Sequence, residues 1–300
     1  MYAITGATGN TGHIITKTLL ANGQKVRAIG RNADHLKPLV ELGAEPFVAD
    51  LGDRQAITKA FTGTRAVYVM IPPDVTSQNV RAQQDSISDS FAGALSAAKV
   101  PYAVALSSVG ADKPDKTGPV VGLHNLEQKL NNVSGLSVLH LRPGYFMENT
   151  LGQAGAIKAG NMTAGPLPAD LKLPMIATRD IAVVAAEELL KLDFAHKQTR
   201  ELQGQRDLDM NEVTAILGKT VGKPDIRYHQ LPDDQFRQAL MSFGMSADFA
   251  NLILEMSAAL ASGYMRMLEP RSVKNTTPTS YETFAKDTFL PAYEAQARAA

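Results

Sequence analysis

The stretch from Tyr2 to Gly12, YAITGATGNTG, constrains this chain more than any other. Tyr2-Ala3-Ile4 is a short apolar run of the kind that forms a strand buried on both faces. After the glycines, Ile14, Ile15, Leu19 and Leu20 recur at helical spacing. Strand, glycine turn and helix start, in that order, form the frame of a dinucleotide fingerprint. Gly6 allows a tight turn, Gly9 lets backbone come close to a pyrophosphate, and Gly12 lets the helix pack on the strand. Ala7, Thr8, Asn10 and Thr11 complete the loop, so residues 6–12 are expected to present backbone N–H groups to the phosphates at a helix N-terminus. The spacing is Gly-x-x-Gly-x-x-Gly, not Gly-x-Gly-x-x-Gly. A Walker-type loop is disfavoured because His13 stands where its lysine should be.

Lys25–Ile29 reads as the second parallel strand and ends at Gly30-Arg31-Asn32. An NAD site usually places an acidic side chain here for the ribose 2′-hydroxyl. This chain places Arg31 instead, and a guanidinium can grip a 2′-phosphate bidentately. Hydrogen bonds to a charged group are worth roughly 1.5–3 kcal/mol, on the order of a 10–100-fold preference for NADP(H) over NAD(H). The competing reading of Arg31 is a solvated surface side chain.

Further along, His35–Leu42 reads as a helix and Glu45–Ala49 as the third strand. Asp50 or Leu51, at its carboxyl end, is expected to flank the adenine, with Asp50 equally able to cap the next helix. Ala66–Ile71 is a fourth strand stopped by Pro72-Pro73, so Ile71 and Pro72 should cover the middle of the cofactor. A helix over Asn79–Lys99, a strand over Tyr102–Leu106 ending in Ser107-Ser108, a helix over Val121–Asn131 and a strand over Val138–Leu141 follow. This alternation predicts an α/β fold with a Rossmann-type doubly wound parallel sheet.

After Asn149 the pattern changes. Gly152–Ala177, rich in Gly, Pro and Ala, reads as loop. Thr178-Arg179-Asp180 then opens a helix over Ile181–Leu190, with Asp180 or Thr178 as its cap. A short strand at Leu202-Gln203-Gly204, a helix over Asn211–Gly218 and a Met-rich helical stretch over 232–265 complete the reading. Met241, Met245, Met256 and Met265 read either as core filler or as an adaptable pocket for a flat apolar substrate. The division predicted is a cofactor domain over 1–150, with 177–195 packing back on it, and a smaller, mainly helical substrate region over 151–176 and 196–300.

The 30 basic and 30 acidic residues balance to a net charge of zero, which argues against nucleic-acid binding driven by bulk electrostatics. There is no cysteine, hence no disulfide or thiolate chemistry. No apolar run reaches membrane-spanning length, and the chain opens into a strand without a leader, so a cytoplasmic protein is expected. The six histidines are scattered without metal-ligand spacing, and no metal is expected. A small molecule is the expected partner; monomer and homodimer stay open.

Taken together, GATGNTG, Gly30-Arg31-Asn32, Val48-Ala49-Asp50, Ser107-Ser108-Val109-Gly110, the helix from His124 to Glu127, Ser134-Gly135-Leu136 and Arg142-Pro143-Gly144-Tyr145-Phe146-Met147-Glu148-Asn149 stand in an order that resembles the NmrA-like branch of the atypical short-chain dehydrogenases/reductases. The resemblance implies an NADP(H)-binding Rossmann domain, a cleft between two domains, and backbone near Ser107 and Pro143–Gly144 beside the nicotinamide. The wider superfamily uses a Tyr-x-x-x-Lys pair. With Glu127 aligned to the family's glutamate, those places fall on Pro119 and Leu123. Alcohol dehydrogenation or sugar epimerisation through that pair is therefore disfavoured.

Hydride transfer is the cofactor's chemistry; the protein positions and tunes it. Quinones, azo dyes and conjugated imines accept hydride readily and can take their proton from water, so they suit a site without the pair. His124, Tyr145 and Ser107 are the candidate local proton donors, with His124 and Tyr145 the candidate catalytic residues and Tyr145 also a pocket wall. Two classes of function remain: an NADPH-dependent reductase of an electron-poor acceptor such as a quinone, and a non-catalytic NADP(H)-binding redox sensor.

Overall fold

The computed structural model describes residues 1–298, with side chains described through 295. The first half alternates strictly. It comprises β1 (Tyr2–Ile4), α1 (Asn10–Ala21), β2 (Val26–Gly30), α2 (Ala33–Glu41), β3 (Glu45–Val48), α3 (Arg54–Phe61), β4 (Ala66–Val69), α4 (Val80–Ala98), β5 (Tyr102–Leu106), α5 (Val120–Asn131) and β6 (Ser137–Pro143). The second half holds β7 (Tyr145–Phe146), a 3₁₀ turn over Met147–Gly152, α6 (Gln153–Gly160), β8 (Met162–Gly165), β9 (Leu173–Ile176), α7 (Thr178–Lys191) and β10 (Lys197–Leu202). It ends with β11 (Asp207–Leu208), α8 (Met210–Thr220), β12 (Arg227–Gln230), α9 (Asp233–Ser242), α10 (Ala247–Ala261), α11 (Tyr281–Phe284), a π-helical turn over Ala285–Phe289 and α12 (Leu290–Arg298).

Seven parallel strands form the main sheet in the order β10-β6-β5-β4-β1-β2-β3. The strand order reverses between β1 and β4, and ligands of open α/β sheets bind at the carboxyl ends of strands flanking such a reversal. Helices cover both faces. One layer buries Ile15 and Leu19 of α1 with Ile181 and Leu189 of α7 against Ile4, Tyr68 and Val104. The other buries Ile57, Phe91 and Leu126, from α3, α4 and α5, against Ala3, Val67 and Ala105. The doubly wound parallel sheet expected from the alternation is therefore present.

β10 forms an edge of this sheet, although its residues lie in the stretch that the sequence division gives to the smaller region. Gly152–Ala177 is not the loop that its composition predicts. It contains α6, β8 and β9, and its strands are specified by distant partners: β8 pairs with β12, and β9 with β7 and β11. A third core joins these elements to α8 and the C-terminal helices through Met175, Val213, Leu217, Tyr281 and Phe289.

Buried and half-buried carboxylates hold the late segments on the sheet. Glu148 accepts from the N–H of Thr178 (3.0 and 3.1 Å) and from its hydroxyl (2.5 Å) at the start of α7. The N-cap of α7 is Ala177, and its cap ligand comes from a different segment, so neither Asp180 nor Thr178 caps the helix. Asp180 instead accepts from the N–H (3.0 Å) and hydroxyl (2.6 Å) of Thr279. Glu201 accepts from the N–H groups of Leu268 and Glu269. Among the described residues no helix is long and apolar enough to cross a membrane.

Candidate functional site

β1 ends in the glycine turn, and the turn is shaped by backbone. Gly6 has φ +58°, a left-handed conformation that favours glycine. The Gly9 N–H donates to Gly6 O at 2.9 Å, closing the loop. A Cβ at Gly12 would lie 2.2 Å from Gly6 O, so only glycine lets α1 sit this close to β1. Gly9 is exposed, and the one atom near its missing Cβ is Gly6 O at 3.3 Å. No side chain caps α1, whose N-cap is Gly9. The N–H groups of Asn10, Thr11 and Gly12, orphaned as at any helix start, therefore have no side-chain cap. Thr8, Gly9 and Asn10 are exposed, whereas Ala7 and Thr11 are buried supports.

Two residues outside the motif hold this turn. Thr5 Oγ1 donates to Tyr68 O (3.1 Å) and accepts from Met70 N (3.1 Å), locking the end of β1 to the end of β4. Tyr68 Oη donates to Thr11 Oγ1 at 2.9 Å in the core. Their partners lie more than fifty residues away, so no local pattern reveals them.

Arg31 follows β2, is exposed, and makes no ion pair among the described residues. Its charge reaches the loop after β4: Asp74 is held below the usual carboxylate range, first by hydrogen bonds from Thr76 and also by Arg31. Ile71 and Pro72, in the same loop, are half-buried. Asp50 is exposed, and its Oδ1 accepts from Gly52 N at 2.7 Å. It does not cap the next helix; Asp53 does, accepting from Gln55 N and Ala56 N. Leu51 is buried under the strand ends in the α3–α4 layer.

At the carboxyl ends of β5 and β6, backbone bonds continue past the strands. Ser107 N donates to Leu141 O (2.8 Å), Val109 N to Pro143 O (2.9 Å) and Gly144 N to Leu202 O (2.9 Å). A Cβ at Gly144 would stand 2.1 Å from Pro174 O, so glycine is required where β9 crosses this loop. Ser108 is half-buried, with its hydroxyl turned to Val109 O. Ser107 is buried and donates its hydroxyl hydrogen to Glu127 Oε1 at 2.5 Å, which removes it from the candidate proton donors.

The two candidate catalytic side chains are not brought together in one wall. His124 is half-buried on α5, and its Nδ1 donates to Ala111 O at 2.8 Å. Tyr145 lines a cavity of about 380 Å³ that His124 does not line. Val109, Leu173, Pro174, Leu260, Met265 and Met267 supply its apolar walls, and Lys172, Arg266 and Glu269 are among its charged lining. Burial pushes the Tyr145 phenol up to about 12, so it stays neutral and is a poor acid. Of the four methionines singled out in the sequence, Met265 lines the cavity. Met256 packs in the adjoining core, and Met241 is exposed. Pro119 is the N-cap of α5, and Leu123 packs against the third core, so the places aligned to Tyr and Lys hold no proton donor.

The strand order and glycine turn define a Rossmann-type α/β protein. A model of the NmrA-like family matches residues 2–283, and the chain belongs to that family. It is 28% identical over 267 residues to an NAD(P)H azoreductase of Xenophilus azovorans, covering 88% of this chain and 89% of the relative. It is 29% identical over 268 residues to quinone oxidoreductase 2 of Escherichia coli K12, again covering 88% and 89%. The crystal structure of an Escherichia coli NADPH-dependent quinone oxidoreductase complexed with NADPH superposes with a TM-score of 0.75 at 24% identity, covering 100% of this chain and 99% of that one. That superposition bears on the fold alone.

Proposed function

We propose that this protein is an NADPH-dependent reductase that delivers hydride to an electron-poor small acceptor such as a quinone. The observation that carries the reading is the cavity of about 380 Å³ walled by Val109, Tyr145, Met265 and Met267, to which the segments that follow β5 and β6 contribute Val109 and Tyr145. Those segments lie at the same edge of the sheet as the uncapped glycine turn. Apolar walls with polymorphic methionine side chains suit flat conjugated molecules. An azo group and a quinone, the acceptors named for the two bacterial relatives, are both conjugated and electron-poor.

In this reading the N–H groups of Asn10, Thr11 and Gly12 bind the pyrophosphate, and Arg31 selects the 2′-phosphate. Ile71 and Pro72 cover the middle of the cofactor, Asp50 and Leu51 border the adenine, and the Ser107–Ser108 and Pro143–Tyr145 loops flank the nicotinamide. When bound, the reduced nicotinamide supplies the hydride. The chain contributes orientation and a water-poor wall. Tyr145 remains a neutral phenol, and the proton needed by the reduced acceptor comes from solvent. The 1–150 stretch carries the cofactor, and the smaller region supplies the methionine wall. A cytoplasmic location, where NADPH is available, fits this chemistry.

The test is oxidation of NADPH by the purified chain with a panel of quinones and azo dyes, followed through the absorbance of the reduced nicotinamide. Saturable turnover with at least one acceptor, faster with NADPH than with NADH, is expected. Tight NADPH binding without turnover across the panel would replace the reductase by the redox-sensor reading.

A further inference from the structure

Glu127 is 2% exposed, on α5, and its two oxygens take three hydrogen bonds, from Ser107 just past β5 and from Arg142 on β6. Ser107 Oγ donates at 2.5 Å, Arg142 Nε at 2.9 Å and Arg142 Nη2 at 2.5 Å. The strands concerned are already paired by backbone: β5 and β6 run in register from Tyr102–Ser137 to Leu106–Leu141, and Ser107 N extends the ladder. A buried ion pair adds little net stability over an apolar pair of the same size, because desolvation offsets the attraction. What it adds is direction. A bidentate guanidinium–carboxylate pair fixes both planes, and here the same carboxylate also fixes the Ser107 hydroxyl, at the start of the loop that follows the neighbouring strand.

We propose that Glu127 is a positioning residue for the nicotinamide end of the cofactor, acting through Ser107 and Arg142. It sets the loops that carry Ser108–Val109 and Gly144–Tyr145, and it leaves Ser107 Oγ with lone pairs only. A hydroxyl so committed can accept from an N–H donor, such as a nicotinamide carboxamide, and cannot give up a proton. The proposal rests on the assignment of an NADP(H) site to the sheet's carboxyl edge.

The experiment compares the dissociation constants of NADPH and of adenosine 2′,5′-bisphosphate, which lacks the nicotinamide half, by calorimetry. The variants are Ser107→Ala, which keeps the Glu127–Arg142 pair, and Glu127→Gln. Both are expected to weaken NADPH about 10-fold, the scale of one net hydrogen bond, and to leave the bisphosphate unchanged. Ser107→Thr, which keeps the hydroxyl, is expected to recover most of the loss. Should Glu127→Gln fail to fold, Ser107→Ala decides alone. Unchanged NADPH affinity in Ser107→Ala, or a loss shared equally by both ligands, overturns the proposal, the second because it marks a merely structural prop. A wild-type chain that binds NADPH but reduces no acceptor defeats the reductase reading alone, and the ligand comparison still decides this proposal. A wild-type chain that binds neither ligand overturns both.

Discussion

The Tyr68 hydroxyl donates to Thr11 Oγ1 at 2.9 Å, and through it the middle of the sheet steadies the first turn of α1. Both residues are buried, so neither partner has water in reserve. Tyr68→Phe removes one donor and leaves the Thr11 hydroxyl short of it. A net hydrogen bond is worth about 1 kcal/mol. The variant is expected to lose about that much stability in chemical denaturation and to bind NADPH more weakly, with its ratio of NADPH to NADH affinity unchanged. Equal stability and equal affinity in the variant would show that this bond steadies nothing.

Gly9 and Gly12 should fail in different ways. At Gly12 a Cβ would meet backbone atoms of Gly6 and Ala7, at 2.2 to 2.9 Å, that cannot move aside. Gly12→Val should therefore cost about 3 kcal/mol of stability, the upper part of the usual range for overpacking. At Gly9 the backbone is extended, with φ −86°, and the missing Cβ has one neighbour at 3.3 Å. Gly9→Val should fold, yet place a branched side chain where a pyrophosphate would approach. Circular dichroism and calorimetry on the two variants separate the cases; a folded Gly9→Val protein that retains NADPH affinity contradicts the phosphate assignment.

Arg31 stands exposed after β2, where an NAD site usually carries an acid, and Asp74 across the way already feels its charge. Arg31→Asp is expected to weaken NADPH on the order of 10–100-fold, with NADH affected far less. The change replaces attraction for a 2′-phosphate by repulsion, and Asp74 adds to it. Dissociation constants for both coenzymes check the prediction; values that do not move would make Arg31 a solvated side chain and nothing more.

These sites differ in how far the sequence discloses them. The glycine turn and the strands from β1 to β6 are legible because their causes are local: φ at Gly6, close approach at Gly12, and near-continuous apolar runs such as Ala66–Val69. Asp50 and Asp53 compete for one cap three residues apart, and only the path of the loop chooses Asp53. β8 and β9 escape notice because four residues each are held by β12, β7 and β11, not by their own pattern. Asp180 reads as a helix cap by position, but its carboxylate is taken by Thr279, ninety-nine residues on. The wall of the cavity joins Val109 and Tyr145 to Met265 and Met267, a juxtaposition that only tertiary packing creates.

Tyr145 gives the sharpest test of whether the protein supplies a proton. Its phenol is pushed up to about 12 by burial, which keeps it neutral and makes it a weak acid. Tyr145→Phe should therefore change turnover of a quinone by less than about 10-fold, whereas loss of a general acid costs roughly 10²–10⁴-fold. The Michaelis constant should move more than kcat if the residue acts as a wall. A fall of kcat into the general-acid range, with NADPH affinity intact, would restore Tyr145 as the donor.

His140 makes stability depend on pH in a stated direction. It is 2% exposed on β6; Nε2 donates to Asn131 Oδ1 at 2.9 Å, and Nδ1 has no partner among the described residues. Burial depresses it to about 4; Glu127 pulls it up, and Arg142 and Lys197 push it down. The folded protein thus holds a neutral imidazole that the unfolded chain would protonate below about 6.5. The associated stability is fully present above the unfolded value. It declines as pH falls, because the unfolded state then binds the extra proton, and it is gone near the folded value. The total is about 3 kcal/mol. Urea titrations of the wild type and of His140→Leu at about pH 7.5 and about pH 4.5 cancel the other titrating groups. The variant is expected to lose less stability over that interval, by about 2 kcal/mol; parallel losses in the two proteins would mean that His140 takes up its proton without unfolding.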